Sequence, residues 1–71
     1  MIGLTTYQQL LQTIGQLKSV EASLELFSMD STDEKTEQAF KEAFTQAAST
    51  LQALEIRKLQ MEKEEPQYKN F

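Results

Sequence analysis

The chain has 71 residues, a formal net charge of −4, and neither cysteine nor histidine. The missing residue types exclude disulfide staples and remove both the commonest transition-metal ligand and the usual general base near neutral pH. Lys and Arg are dispersed among acids, so no basic face is available to displace counterions from phosphates, and nucleic acid is excluded as a partner.

A chain of this length has room for one domain (1–71) and buries only about 60% of its unfolded surface. Domains this small usually need a disulfide, a metal or a partner chain, and association is the device left over. Met1-Ile2-Gly3-Leu4 has no basic segment followed by an apolar run, so no secretory signal is expected. Gly stands at position 3 and not at 2, so the myristoylation pattern fails. No stretch of about 18 apolar residues spans a bilayer, and the expected location is cytoplasmic.

The first predicted helix covers about 5–28. Leu4, Tyr7, Leu11, Ile14, Leu17, Val20, Leu24 and Phe27 step by three or four along one stripe, widened by Leu10 and Leu26. Thr5-x-x-Gln8 and Thr6-x-x-Gln9 both match a capping box for its start. Nothing before Lys18 is charged, and Gln8, Gln9, Gln12, Thr13 and Gln16 make up the polar side. That side is either a solvated amide-rich face or one covered by another subunit, where amides avoid the desolvation cost of a charge.

The interruption falls at Ser28-Met29-Asp30-Ser31-Thr32-Asp33. Ser31-x-x-Glu34 forms another capping box, and Asp33, Glu34 and Glu37 suit the positive end of a helix dipole. A calcium loop needs alternating aspartates and a glycine, and neither pattern is present. The second helix, about 32–64, carries Phe40, Phe44, Ala47, Leu51 and Leu54 at alternating four- and three-residue steps, as in a coiled-coil seam. Pro66 limits it to Glu64 or Glu65, leaving 66–71 as a short tail.

These elements specify an all-α fold, an antiparallel two-helix hairpin roughly 35–40 Å long at about 1.5 Å per residue. A turn centred near Asp30 and Ser31 places Val20 opposite Phe40, Leu17 opposite Phe44, Ile14 opposite Ala47, Leu10 and Leu11 opposite Leu51, and Tyr7 opposite Leu54. Two features are left over. The second helix outruns the first, carrying Ile56, Leu59 and Met61 toward Tyr68 and Phe71. Small residues line other faces: Gly15, Ser19, Ala22 and Ser23 on the first helix, Ala39, Ala43 and Ala48 on the second. Gly inside a helix costs about 1 kcal/mol relative to Ala, which close approach by another helix would explain. Two seams cannot both be buried in one hairpin, so pairing into a four-helix bundle is expected, as a homodimer or higher homo-oligomer. The candidate interface residues are Gly15, Ser19, Ala22, Ile56, Leu59, Met61, Tyr68 and Phe71.

No catalytic, metal or cofactor residues emerge. A nucleophile has no histidine base beside it, and Glu-x-x-His di-iron motifs cannot form. Glu62, Glu64 and Glu65 read as a solvated helix end, with Arg57, Lys58 and Lys63 suiting its dipole. The expected protein is not an enzyme.

Leu17-Lys18-Ser19-Val20-Glu21-Ala22-Ser23-Leu24-Glu25-Leu26-Phe27 and Met61-Glu62-Lys63-Glu64-Glu65-Pro66-Gln67-Tyr68-Lys69 resemble domain-of-unknown-function family 1657, small proteins of endospore-forming bacteria. The resemblance runs essentially end to end, and the Glu-Glu-Pro-Gln-Tyr-Lys ending is its most specific part. It implies a sporulation context, with genes near those for a spore membrane channel that moves dipicolinate, and no assigned activity. It also implies a proline after the Leu-Glu of the second helix, where this chain has Ile56, so a less interrupted helix is expected here.

Three roles follow. The first is a self-associating structural or interaction protein of the cytoplasm, forespore or spore interior. The second is an adaptor or regulator whose apolar face captures an amphipathic helix of another protein. The third is an aspartyl-phosphate phosphatase built on a hairpin, and the Ser-Gln-x-x-Asp signature of such enzymes is missing here. The tail either folds back on the Leu59 and Met61 overhang or offers Tyr68 and Phe71 as anchors to a partner.

Overall fold

The computed structural model describes residues 2–64, with side chains from Thr5 onward. Glu65, Pro66, Tyr68 and Phe71 lie outside the described residues, and with them the two readings of the tail. The described chain is an antiparallel hairpin of two helices, α1 (Ile2–Asp30) and α2 (Glu34–Glu64). The rod measures 48 × 17 × 15 Å, longer than expected because α1 spans 29 residues where 5–28 was expected, while α2 starts two residues later than expected. Uninterrupted through Ile56, α2 is a single helix.

The helix boundary at the turn differs from the expectation by two residues, and the reason is a different cap. Asp33, not Ser31, caps α2: its carboxylate accepts the Thr36 backbone N–H at 3.1 Å and the Thr36 hydroxyl at 2.5 Å. The Asp33 carbonyl then accepts the Glu37 N–H at 2.8 Å, the first bond of the helix ladder. Ser31 contributes from outside, donating its hydroxyl to the same carbonyl at 3.2 Å. These hydrogen bonds hold the Asp33 carboxyl below its usual pKa, the Thr36 hydroxyl being the main cause.

The seam follows a strict heptad on both helices. On α1 its positions are Tyr7, Leu10, Ile14, Leu17, Glu21, Leu24 and Ser28, with Leu11 half-buried beside them; on α2 they include Phe40, Phe44, Ala47, Leu51, Leu54, Lys58 and Met61. Val20, Phe27 and Leu26, expected in the stripe, are instead exposed. Their places are taken by Glu21 and Ser28, because successive steps of three from Ile14 to Leu17 to Val20 fall short of the 3.5-residue period of a two-helix seam. One heptad position cannot hold both Val20 and Glu21. The alternation on α2 selects Glu21.

Register is the second correction. Tyr7 packs on Met61, with Leu10 and Leu11 against the pair, seven residues further along α2 than the expected Leu54. Phe27 meets Phe40 with ring centroids 5.7 Å apart, where Val20 was expected. A slide of one heptad returns every covered position to a covered position, so periodicity alone cannot reject it. Helical side chains also lean toward their own N-termini, which in an antiparallel pair shifts contacts to higher numbers on α2. As a result, Met61 is no overhang. It is buried beneath Tyr7.

Candidate interaction surfaces

The best-covered part of the molecule is its open end, where the two helices close on Tyr7, which is 2% exposed. The ring sits among Met61, Leu10 and Leu11, and its hydroxyl donates to Glu62 Oε2 at 2.6 Å. Lys58 Nζ lies 3.7 Å from the same oxygen, one helical turn back. The hydrogen bond to Glu62, burial and the carboxylate's charge, in that order, push the phenol pKa up to about 12. At neutral pH the phenol is therefore protonated throughout, a donor that locks α1 to α2. Glu62 thus departs from the solvated-end reading, while Glu64 pairs with Arg57 at 3.7 Å on the surface. No buried side-chain nitrogen or oxygen among the described residues lacks a partner.

Around this seam the hairpin has unlike sides. One flank is charged: Lys18 reaches across to Glu55 at 3.3 Å, and Glu25 and Lys41 line a shallow apolar groove with Ser28, Met29, Phe44 and Thr45. On the opposite flank the heptad places Val20 and Phe27 from α1 beside Ala43 and Thr50 from α2, and none of these is charged. This flank was not read from the sequence, because Val20 and Phe27 were assigned to the seam. The broken three-four alternation at Val20 was the signal that could have found it.

The candidate interface residues fall on separate surfaces. Gly15, Ser19 and Ala22 are exposed on the side of α1 facing away from α2, in line with Leu26 and Met29. A methyl group at Gly15 would meet no heavy atom within 4 Å, so nothing inside the hairpin requires a glycine there. Ile56 and Leu59 are exposed on the far side of α2, beside Gln60, Glu62 and Lys63. Ala39 is exposed, whereas Ala43 and Ala48 are half-buried. Met61 is taken up by the hairpin itself. Tyr68 and Phe71 lie outside the described residues. Apart from Met61, the described members of the set lie on the backs of the two helices.

Among the described residues no three carboxylates converge as a metal site would require, and no helix is long and apolar enough to cross a membrane. A family model described as protein of unknown function (DUF1657) matches residues 7–57. The chain belongs to this family. The matched span starts at Tyr7 and covers the turn and most of the seam, but stops before Met61 and Glu62. The Glu64–Lys69 segment, which carried the most specific resemblance, lies beyond it. No curated protein and no solved structure matches the chain.

Proposed function

We propose that this family member is a non-enzymatic structural or protein-interaction protein, a helical hairpin that self-associates into a four-helix bundle. One observation carries the reading: among the described residues only Tyr7, Ile14 and Met61 are buried hydrophobics, while Val20, Leu26, Phe27, Met29, Ile56 and Leu59 are large hydrophobics left exposed. Fully burying a side chain of that size contributes about 1.5–3 kcal/mol, and each of the six is about half exposed or more, so covering them all adds burial comparable to that core. Sedimentation equilibrium at micromolar concentration tests it. A concentration-dependent mass at or above twice the monomer supports the reading. A compact, cooperatively melting monomer overturns it.

A second reading, an adaptor that captures an amphipathic helix, draws on the apolar groove near the turn, where Met29 is 74% exposed. Flexible thioether side chains suit surfaces that accept varied partners. On this reading self-association would use that same groove, and a partner helix would displace it. The resemblance supplies the proposed setting, the cytoplasm or forespore of sporulating cells. Expression confined to sporulation supports that setting, and accumulation only in vegetative cells speaks against it.

A further inference from the structure

We infer that the uncharged flank of the hairpin is where two copies meet, with a two-fold axis along the rod so that both turns lie at the same end. The inference rests on the self-association proposed above and names its surface and geometry. Val20 and Phe27 are 48% and 50% exposed on this flank, and both project beyond the seam. Between Gln9 and Ser23 of α1, and between Ala39 and Ala53 of α2, no residue on this flank is charged. The opposite flank holds Lys18, Glu25, Lys41 and Glu55, whose desolvation opposes burial. For a chain of net charge −4, contact between copies is least costly where charge is absent.

The occupant is a second copy because the flank is complementary to itself. The Phe27–Phe40 contact sets Phe27 level with the turn of α2 that carries Ala39 and Ala43. Seven residues earlier on α1, Val20 is level with Gln46 and Thr50, seven further along α2. A two-fold axis parallel to the helices lays α1 over α2 of the other copy at unchanged height. Phe27 then enters the gap between Ala39 and Ala43 of the partner subunit, and Val20 sits against Thr50 of the partner subunit. Large residues meet small ones, and every neighbouring pair of helices in the bundle is antiparallel. The uncharged stretch of about 15 residues at about 1.5 Å per residue, on a face 17 Å wide, offers roughly 380 Å² per copy, with the Arg57–Glu64 pair at its open-end margin.

The test combines sedimentation equilibrium with distances between spin labels. Val20→Glu combined with Ala39→Glu, both at exposed positions, weakens the dimer at least about 100-fold, because each copy then buries unpaired charge. Circular dichroism confirms that the helices persist. Gln52→Glu on the charged flank and Ala22→Glu on the back of α1 leave the association within about twofold. A spin label on Thr32→Cys at the turn, in a chain with no other cysteine, gives a separation within roughly 20 Å, about two helix spacings. Turns at opposite ends would separate the labels by about the 48 Å rod length, overturning the arrangement. If the double variant still dimerises while Ala22→Glu does not, the surface is wrong and self-association stands. If the unaltered chain is monomeric, both fall together.

Discussion

At the open end of the seam, an aromatic ring is 2% exposed, packs on Met61 and donates a hydrogen bond to a carboxylate 55 residues away in sequence. At the turn end, the equivalent heptad positions on α1 hold Glu21 and Ser28, and Phe27 lies beside the seam. The same periodicity thus yields a sealed end and a loosely filled one. The turn ties the helices together covalently, so its end needs less side-chain cohesion. The open end has no such tether, and only long-range packing keeps it from fraying.

The largest effect expected from that difference is at Tyr7. Tyr7→Ala removes the ring and leaves Glu62 without its donor, costing about 3–5 kcal/mol in chemical denaturation. A loss below that of Phe27→Ala would reverse the ranking of the two ends. Glu21→Leu acts in the opposite sense, raising stability by about 1 kcal/mol by placing apolar surface at a half-covered seam position. Were Val20 the seam residue, the same substitution would change little, so a neutral result breaks the register described above.

Tyr7→Phe isolates the hydrogen bond, with an expected cost of about 1 kcal/mol. Its pH dependence sharpens the point. A phenol whose pKa is raised on folding contributes stability that is fully present below its unfolded value of about 10. That contribution is lost as pH rises toward the folded value of about 12. With Tyr68→Phe leaving Tyr7 as the only tyrosine, phenolate absorbance should rise near pH 12 while the chain is folded, and near 10 once it is unfolded. A folded-state transition near 10 would remove the lock from Tyr7.

The smallest effect belongs to the cap. Asp33 is exposed, its carboxyl pKa lowered first by the Thr36 hydroxyl. Its contribution is therefore present above the ordinary carboxylate range and disappears as pH falls through the lowered folded value. Asp33→Ala should lower the melting temperature at neutral pH by less than Tyr7→Phe does, and the difference from the unaltered chain should vanish in acid.

Much of this architecture was open to reading from residues alone. Two helices, their antiparallel pairing and the turn near Asp30 follow from local periodicity, capping groups and the alternating spacing from Phe40 to Leu54. The resemblance of residues 17–27 likewise pointed to the family whose model matches 7–57. The interaction surfaces were less legible. Gly15, Ser19 and Ala22 were identified as small and unexplained, yet their separation from Ile56 and Leu59 depends on how the helices face each other.

What the sequence determines by itself is therefore short-range: where helices form, which stripe is apolar, and that the chain folds back once. The tertiary structure decided three matters: the seven-residue shift that buries Met61, the choice of Glu21 over Val20 in the seam, and Asp33 as the cap. The physical reason is common to all three. A heptad repeat is degenerate to a slide of one repeat, and a hydroxyl or carboxylate two residues away can cap equally well, so each choice is settled by contacts between residues distant in sequence or by the final path of the turn.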